Sequence, residues 1–368
     1  MVDALTVAFA SEEEQQVRGL AREFAEGELR PHAEAWDRER TLPASVLEQL
    51  AELGFLGMLV PEEHGGMGFD APTFVAAVEE LARGEASVAM LVARHTAAAD
   101  AILRLGSDEQ KARWLPRLAG GEMVAALAHW DSDDDAVPAT LAEQQGGARV
   151  LRGALEHVWR CAQTGLVVAR VRGAGDGCAA MLVPIDAAGI RVREARAPLG
   201  LRPLEVVTLA LEDIPVEADA ELGGATADPG GGDVGRLGVA AVAVGLARAA
   251  LEHAVGYAGV REQFGRKIRE FEGLQVKLAD MAVRLDAARG LLRSAAASPD
   301  ARVTAEAKVC AGEAAMWIAT QAVQVFGGYG YMRDYPVEKL MRDAKVTEIL
   351  GGTNQALRRL IVRELYRT

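Results

Sequence analysis

Three cysteines occur in 368 residues, at Cys161, Cys178 and Cys310. They are widely separated and no pair has metal-ligand spacing, so neither a disulfide framework nor a metal site is expected. They read as small buried hydrophobes of a reducing compartment. Positive charge is also short. Forty Lys and Arg stand against fifty-three Asp and Glu, for a net charge of −13. Nucleic acid is therefore not an expected partner, because phosphate binding needs clustered positive charge. Long apolar runs are missing as well. The longest, Leu237 to Ala247, is shorter than a membrane span. Ser11-Glu12-Glu13-Glu14 interrupts any leader-like apolar run. No internal repeat or low-complexity tract occurs. What remains is an ordinary globular composition, 50% hydrophobic and 25% charged. The length suits two or three packed domains, and a cytoplasmic enzyme or enzyme-like protein is expected.

The texture of the chain changes twice. Over residues 1–121 the apolar spacing is helical: Val17, Leu20, Phe24 and Ala25 share one face of a segment that Pro31 stops. Helices are likewise expected over 44–53, 72–83, 87–105 and 108–118, with a turn-rich loop at Pro61 to Gly68. Residues 122–224 carry short runs such as Leu166 to Val171, Ala180 to Val183 and Val206 to Leu211, bounded by Gly, Pro and Asp. That is strand-and-turn texture. After a Gly-rich linker, Ala225 to Gly232, residues 233–368 are again helical, with long Ala-rich segments around 236–260, 272–296, 301–326 and 336–349. Helix block, β block, helix block is an α+β layout.

Several turns hold residues suited to a ligand. Arg261-Glu262-Gln263-Phe264-Gly265 offers a guanidinium fork beside a flexible glycine. Phe326-Gly327-Gly328-Tyr329-Gly330-Tyr331 exposes backbone amides between aromatic rings, and Gly351-Gly352-Thr353-Asn354 is a second glycine turn. Taken singly, each also describes a surface arginine or a helix C-cap.

In combination they resemble a known family. Gln324-Val325-Phe326-Gly327-Gly328-Tyr329-Gly330, then Tyr335 to Lys345, then Gly352-Thr353-Asn354-Gln355 resemble the C-terminal signature of acyl-CoA dehydrogenases. Arg261-x-x-Phe264-Gly265 with Leu278-Ala279-Asp280-Met281 resembles the family's flavin segment. Leu53-Gly54-Phe55 through Gly68 resembles its N-terminal domain, and Leu199-Gly200-Leu201-Arg202 through Val216 its β domain. The resemblance implies an N-terminal helical domain, a middle β-barrel and a C-terminal four-helix bundle. It implies FAD, an acyl thioester carried by CoA or an acyl carrier protein, an electron-accepting flavoprotein and a homotetramer. It further implies that Arg261 and Phe264 reach a neighbour's FAD, that Gln324, Gly327 and Gly328 line its adenine end, and that Trp159, Thr353 and Gln355 lie near bound FAD.

The departures from that pattern are chemical. The family removes a proton from the carbon beside a thioester while a hydride leaves the next carbon for the flavin. The glutamate that takes the proton precedes the Gly-Thr pair, where this chain has Gly351. An alternative position in some members maps to Gly235, beside Arg236. A missing general base costs about 10²–10⁴-fold in rate. Glu348, about one helical turn before Gly351, and Asp233 are the nearest replacement bases. In a non-redox lyase, Arg94, His95 or Arg236 would hold an anionic group. The family's small-residue flavin loop is here Ala128-His129-Trp130-Asp131-Ser132-Asp133-Asp134-Asp135. Asp133 or Asp134 facing a diphosphate would cost about 4 kcal/mol for like charges near 4 Å at an effective dielectric of 20. At two further flavin positions Cys161 replaces a threonine and Glu272 a glutamine. Three readings follow: an FAD-linked acyl-thioester oxidoreductase with a non-standard site, a non-catalytic or half-catalytic subunit of a mixed complex, or a non-redox lyase on a β-substituted acyl-CoA.

Overall fold

The structure is a computed structural model that describes residues 10–131, 139–143, 149–173, 178–217, 219–223 and 232–367. Asp133, Asp134 and most of the 225–232 linker therefore lie outside the described residues.

The N-terminal helices are α1 (Glu12–Phe24), α2 (Ala33–Glu39), α3 (Ala44–Glu52), α4 (Ala71–Gly84), α5 (Ala86–Leu105) and α6 (Asp108–Ala119). Local chemistry sets their starts. Ser11 accepts from the Glu14 N–H ahead of three acidic residues in the first turn of α1, which satisfies a free amide and complements the helix dipole. Asp70 caps α4 in the same way. Ser107 and Gln110 form a reciprocal capping box on α6. A π-helical turn at Ala25–Leu29 ends the first helical stretch just before Pro31.

Among the described residues, ten strands follow the first helix block. Eight of them, β1 (Val124–Ala128), β2 (Thr140–Glu143), β3 (Arg149–Arg160), β4 (Thr164–Arg172), β5 (Cys178–Pro184), β6 (Ile190–Arg196), β7 (Glu205–Pro215) and β8 (Glu221–Leu222), form one mixed sheet. Its order is β6-β7-β3-β2-β4-β5-β8, and β1 pairs parallel to β4. The inward faces of β1, β2, β3, β4, β5 and β7 share one apolar cluster that includes Leu155, Val167, Met181 and Leu209. The other face of β1, β4 and β5 packs on α5 and α6 through Ile102, Leu115, Leu127 and Val168. The two-residue strands β9 (Glu262–Gln263) and β10 (Arg266–Lys267) make a separate hairpin.

The C-terminal helices are α7 (Gly232–Val260), α8 (Glu272–Ala297), α9 (Ala301–Phe326), α10 (Val337–Val346) and α11 (Asn354–Leu365). Helices α5 and α7 are long and apolar enough to cross a membrane by length and composition, but both are almost wholly enclosed by the rest of the protein. They are core helices. A Cβ at Gly245 would sit 2.4 Å from the Glu79 carbonyl, so glycine is what permits α7 to lie against α4.

Buried ion pairs join the helix blocks. Glu80 of α4 receives Arg18 and Arg22 of α1 and Arg248 of α7, while Glu79 receives Arg289 of α8. Burial raises the Glu80 carboxyl, yet the Arg22 and Arg248 guanidiniums outweigh it and hold the group at about 2. A second network docks the β domain on α10. Asp343 accepts from the Leu201 N–H at 2.6 Å, Lys339 bridges Asp343 and Glu85, and Arg342 and Arg202 share Asp37. The backbone around Gly200 lies so close to Arg342 that a Cβ there would clash. This contact forms the floor of the cavity described next.

Candidate functional site

A cavity of about 480 Å³ opens where the sheet meets α10 and the turn that follows it. Trp159 and Val206 line it from β3 and β7, Leu199 and Gly200 from the docking loop, and Lys345, Val346, Ile349, Leu350 and Thr353 from the helical side. His129 and Asp131 enter from the end of β1. The wall is mainly apolar with a few convergent polar groups, the usual make-up of a cofactor or substrate site.

Asp131 fastens the two sides together. Its Oδ1 accepts from the Gly351 N–H at 2.8 Å and from Arg94 Nη1 at 2.7 Å. Its backbone carbonyl accepts from the Thr353 N–H at 2.9 Å. Arg94 is buried on α5 and also donates to the Leu127 carbonyl. One carboxylate thus joins β1, α5 and the glycine turn. Thr353 caps α11 by accepting from the Ala356 N–H, which leaves its hydroxyl proton for another acceptor. Lys308, fully buried on α9, donates to the Gly352 carbonyl and to Asn354 Oδ1 from behind the turn. Burial pulls its ammonium down to about 7.

The two positions without a glutamate face each other. Gly351 has φ of +71°, and a Cβ there would stand 2.9 Å from Val239 Cβ and 3.3 Å from the Gly235 carbonyl. No side chain fits at 351 without movement of the turn or of α7.

The expected site residues separate into groups. Trp159 and Thr353 meet in the cavity. Cys161 lies buried below Trp159, in a narrow recess shared with Met90, Leu91 and Arg94, and its thiol meets the Thr164 hydroxyl. Burial raises that thiol above its ordinary value. Cys178 and Cys310, expected to be buried, are half-buried. On another face, Arg261, Gly327 and Gly328 line a second cavity of about 480 Å³ with Tyr257 and Tyr329, and Arg261 stacks over the Tyr329 ring at 5.3 Å. Phe264 projects beside them, 93% exposed. Gln324 is exposed at the end of α9 next to this second cavity, Glu272 is exposed at the start of α8, and Gln355 is exposed on α11.

Four of the expected residues sit outside both cavities. Arg236 is completely buried, donates to Thr304 Oγ1 and Asp233 Oδ1, and lines neither large cavity. It joins α7 to α9. The same contacts occupy Asp233, which also accepts from the Thr304 hydroxyl. His95 is buried, accepts from the Ala125 N–H through Nδ1 and meets the Leu56 carbonyl through Nε2. Burial lowers it to about 4, so it is a neutral structural link. Glu348 pairs with Lys345 and does not line the cavity, although Lys345, Ile349 and Leu350 do.

The residues fit a flavin. The first cavity offers an apolar slot against an indole, with a hydroxyl donor at Thr353. At Gly327 and Gly328 a Cβ would meet nothing within 4 Å, so backbone there is open to close approach.

Comparison with known proteins agrees with this architecture. Residues 11–122 match the family model for the acyl-CoA dehydrogenase N-terminal domain, and residues 225–366 match that for the C-terminal domain. An acyl-CoA dehydrogenase of Bacillus subtilis is 36% identical over 96% of this chain and 98% of its own length. The rat mitochondrial short-chain specific acyl-CoA dehydrogenase is 34% identical over 97% and 91%. The solved butyryl-CoA dehydrogenase of Megasphaera elsdenii superposes with a TM-score of 0.90 at 30% identity, covering 98% of this chain and 99% of that one. With similarity running the length of the chain and the same helix–sheet–helix fold, the protein belongs to the acyl-CoA dehydrogenase family.

Proposed function

We propose that this chain is an FAD-linked oxidoreductase acting on an acyl thioester of CoA or an acyl carrier protein, with a non-standard proton-transfer site. The observation that carries the reading is the cavity walled by Trp159 and Thr353, together with a separate face that presents Arg261, Phe264, Gly327 and Gly328. Trp159 and Thr353 would hold the ring end of FAD within one chain. Arg261, Phe264, Gln324, Gly327 and Gly328 would hold the rest of a neighbouring chain's FAD, with Gln355 and Glu272 at its margin. When bound, the flavin supplies a hydride acceptor. Trp159 excludes water from one side of the slot, and the Thr353 hydroxyl donates to an acceptor on the ligand. The 199–202 loop, locked on α10 through Asp343, fixes the depth of the slot.

The exposed apolar side chains Val260, Phe264, Val283 and Tyr331 suit burial against further copies, which favours a homotetramer. The domains divide at 1–121, 122–224 and 233–368, the protein is cytoplasmic, and an electron-accepting flavoprotein takes its electrons. A purified protein that oxidises an acyl-CoA only when a dye or flavoprotein acceptor is present supports this function. Product formed without any acceptor would instead establish lyase chemistry.

One observation favours a second reading. The facing pair Gly351 and Gly235 brings no carboxylate to either place where the family carries one. The chain would then be the half-catalytic subunit of a mixed complex, and activity would appear only on adding a glutamate-bearing homologue.

A further inference from the structure

A carboxylate lies one hydrogen bond from residue 351. Asp131 Oδ1 lies 2.8 Å from the Gly351 nitrogen and 2.7 Å from Arg94 Nη1. No described residue donates to its second oxygen, Oδ2, and Asp131 lines the Trp159–Thr353 cavity. Its side chain is 22% exposed, against 6% for that of Arg94, so the cation is enclosed while the carboxylate retains access to the cavity. The backbone is tied as firmly as the side chain, because the Asp131 carbonyl accepts from the Thr353 N–H. A proton acceptor needs access to the substrate and a fixed position; Asp131 lines the cavity, and two donors fix its Oδ1. Glu348 is turned to Lys345 and lines no part of this cavity.

Resting on the proposed function, we infer that Asp131, supplied by the β domain, is the general base of this protein, taking the role that a glutamate at 351 or 235 would fill. In the step assigned to it, Asp131 Oδ2 takes the proton from the carbon next to the thioester carbonyl. The C–H bond breaks, an O–H bond forms on Asp131, and the electron pair remains on the substrate as the thioester enolate. Arg94 holds the Asp131 carboxylate in place from α5. The step balances without an oxidant. The arrangement also gives the glycine at 351 a reason: any Cβ there meets Val239, and the turn instead donates its amide to Asp131.

The test is exchange of the α-protons of butyryl-CoA into deuterated water, followed by mass spectrometry, on the flavin-loaded protein and on Asp131→Asn. Asparagine retains an Oδ1 that accepts from Gly351 and Arg94, so it preserves the clamp while removing the base. The inference predicts exchange by the wild type and a loss of about 10²–10⁴-fold in Asp131→Asn, with butyryl-CoA binding, read by flavin spectral perturbation, changed by less than about tenfold. Asp131→Glu keeps a carboxylate on the same wall and retains more exchange than the asparagine variant. Undiminished exchange in Asp131→Asn overturns the inference and leaves the proposed function standing. So does a wild type that binds flavin and butyryl-CoA but exchanges only after a second homologous chain is added. A folded wild type that binds neither FAD nor butyryl-CoA overturns the proposed function itself, and the assignment of Asp131 with it.

Discussion

Placing a side chain at 351 does not restore an ordinary active site, and the cost of trying is set by α7. The simplest perturbation is Gly351→Ala. The residue has φ of +71°, where an L-residue costs about 1–2 kcal/mol relative to glycine. Its Cβ would lie 2.9 Å from both Val239 Cβ and Cγ2, and overpacking of this kind costs about 1–3 kcal/mol. The sum is about 2–5 kcal/mol, a large share of a typical domain's stability. The steric part can be isolated by a double-mutant cycle with Val239→Gly. That change alone loses about 1.5–3 kcal/mol of buried side chain plus about 0.5–1 kcal/mol for glycine within a helix. It also opens the space that the alanine Cβ needs. The urea midpoints of the four proteins should therefore give a favourable coupling of about 1–3 kcal/mol, since contacting residues are not additive. Additive effects, or a Gly351→Ala variant as stable as the parent, would show that the turn relaxes freely. The backbone at 351 would then admit a glutamate.

Two more predictions concern groups around the same turn. Lys308 has a folded value of about 7 against an ordinary 10.5, so the unfolded chain binds more protons between those limits and wild-type stability should rise from pH 7 toward pH 10. Lys308→Met should remove that rise and leave the Gly352 carbonyl without its buried donor, at about 1–3 kcal/mol above pH 9; an unchanged slope in urea titrations across this range would contradict it. His95 is lowered to about 4 from 6.5, so its contribution is complete above pH 6.5 and lost as pH falls toward 4. His95→Phe should cost about 1–3 kcal/mol for each of the two unpaired groups, the Ala125 N–H and the Leu56 carbonyl, and should flatten the pH 6.5–4 limb; an equally steep limb in thermal melts would refute this.

Much of the fold was readable because its signals are local. Ser11, Asp70 and Ser107 cap helices that begin where the sequence indicates. The runs 166–171, 180–183 and 206–211 each fall inside a strand. Strands β3 and β6 were not legible: Arg149–Arg160 and Ile190–Arg196 mix charge with apolar residues and take their form from pairing with β7. The short α2 (Ala33–Glu39) was hidden by its polar face. At the site, the glycine turns and Trp159 stood out by motif. Arg236 stood out too, but burial against Thr304 is a property of helix packing that spacing along one helix does not contain. Asp131 was concealed by its company. Within the acidic run 131–135 nothing distinguishes it; its carboxylate gains the Gly351 N–H when residues 351–353 return to the end of β1, and the Arg94 guanidinium from α5.

The proposed function requires a flavin held between the Trp159–Thr353 cavity and the Arg261–Phe264 face of another copy. Titrating the flavin-free, natively assembled protein with FAD, then adding butyryl-CoA without oxygen, tests it most directly. The account predicts saturation at one FAD per chain, followed by bleaching of the flavin's visible band. A folded oligomer that binds no FAD, or binds it without any spectral response to an acyl thioester, would contradict it.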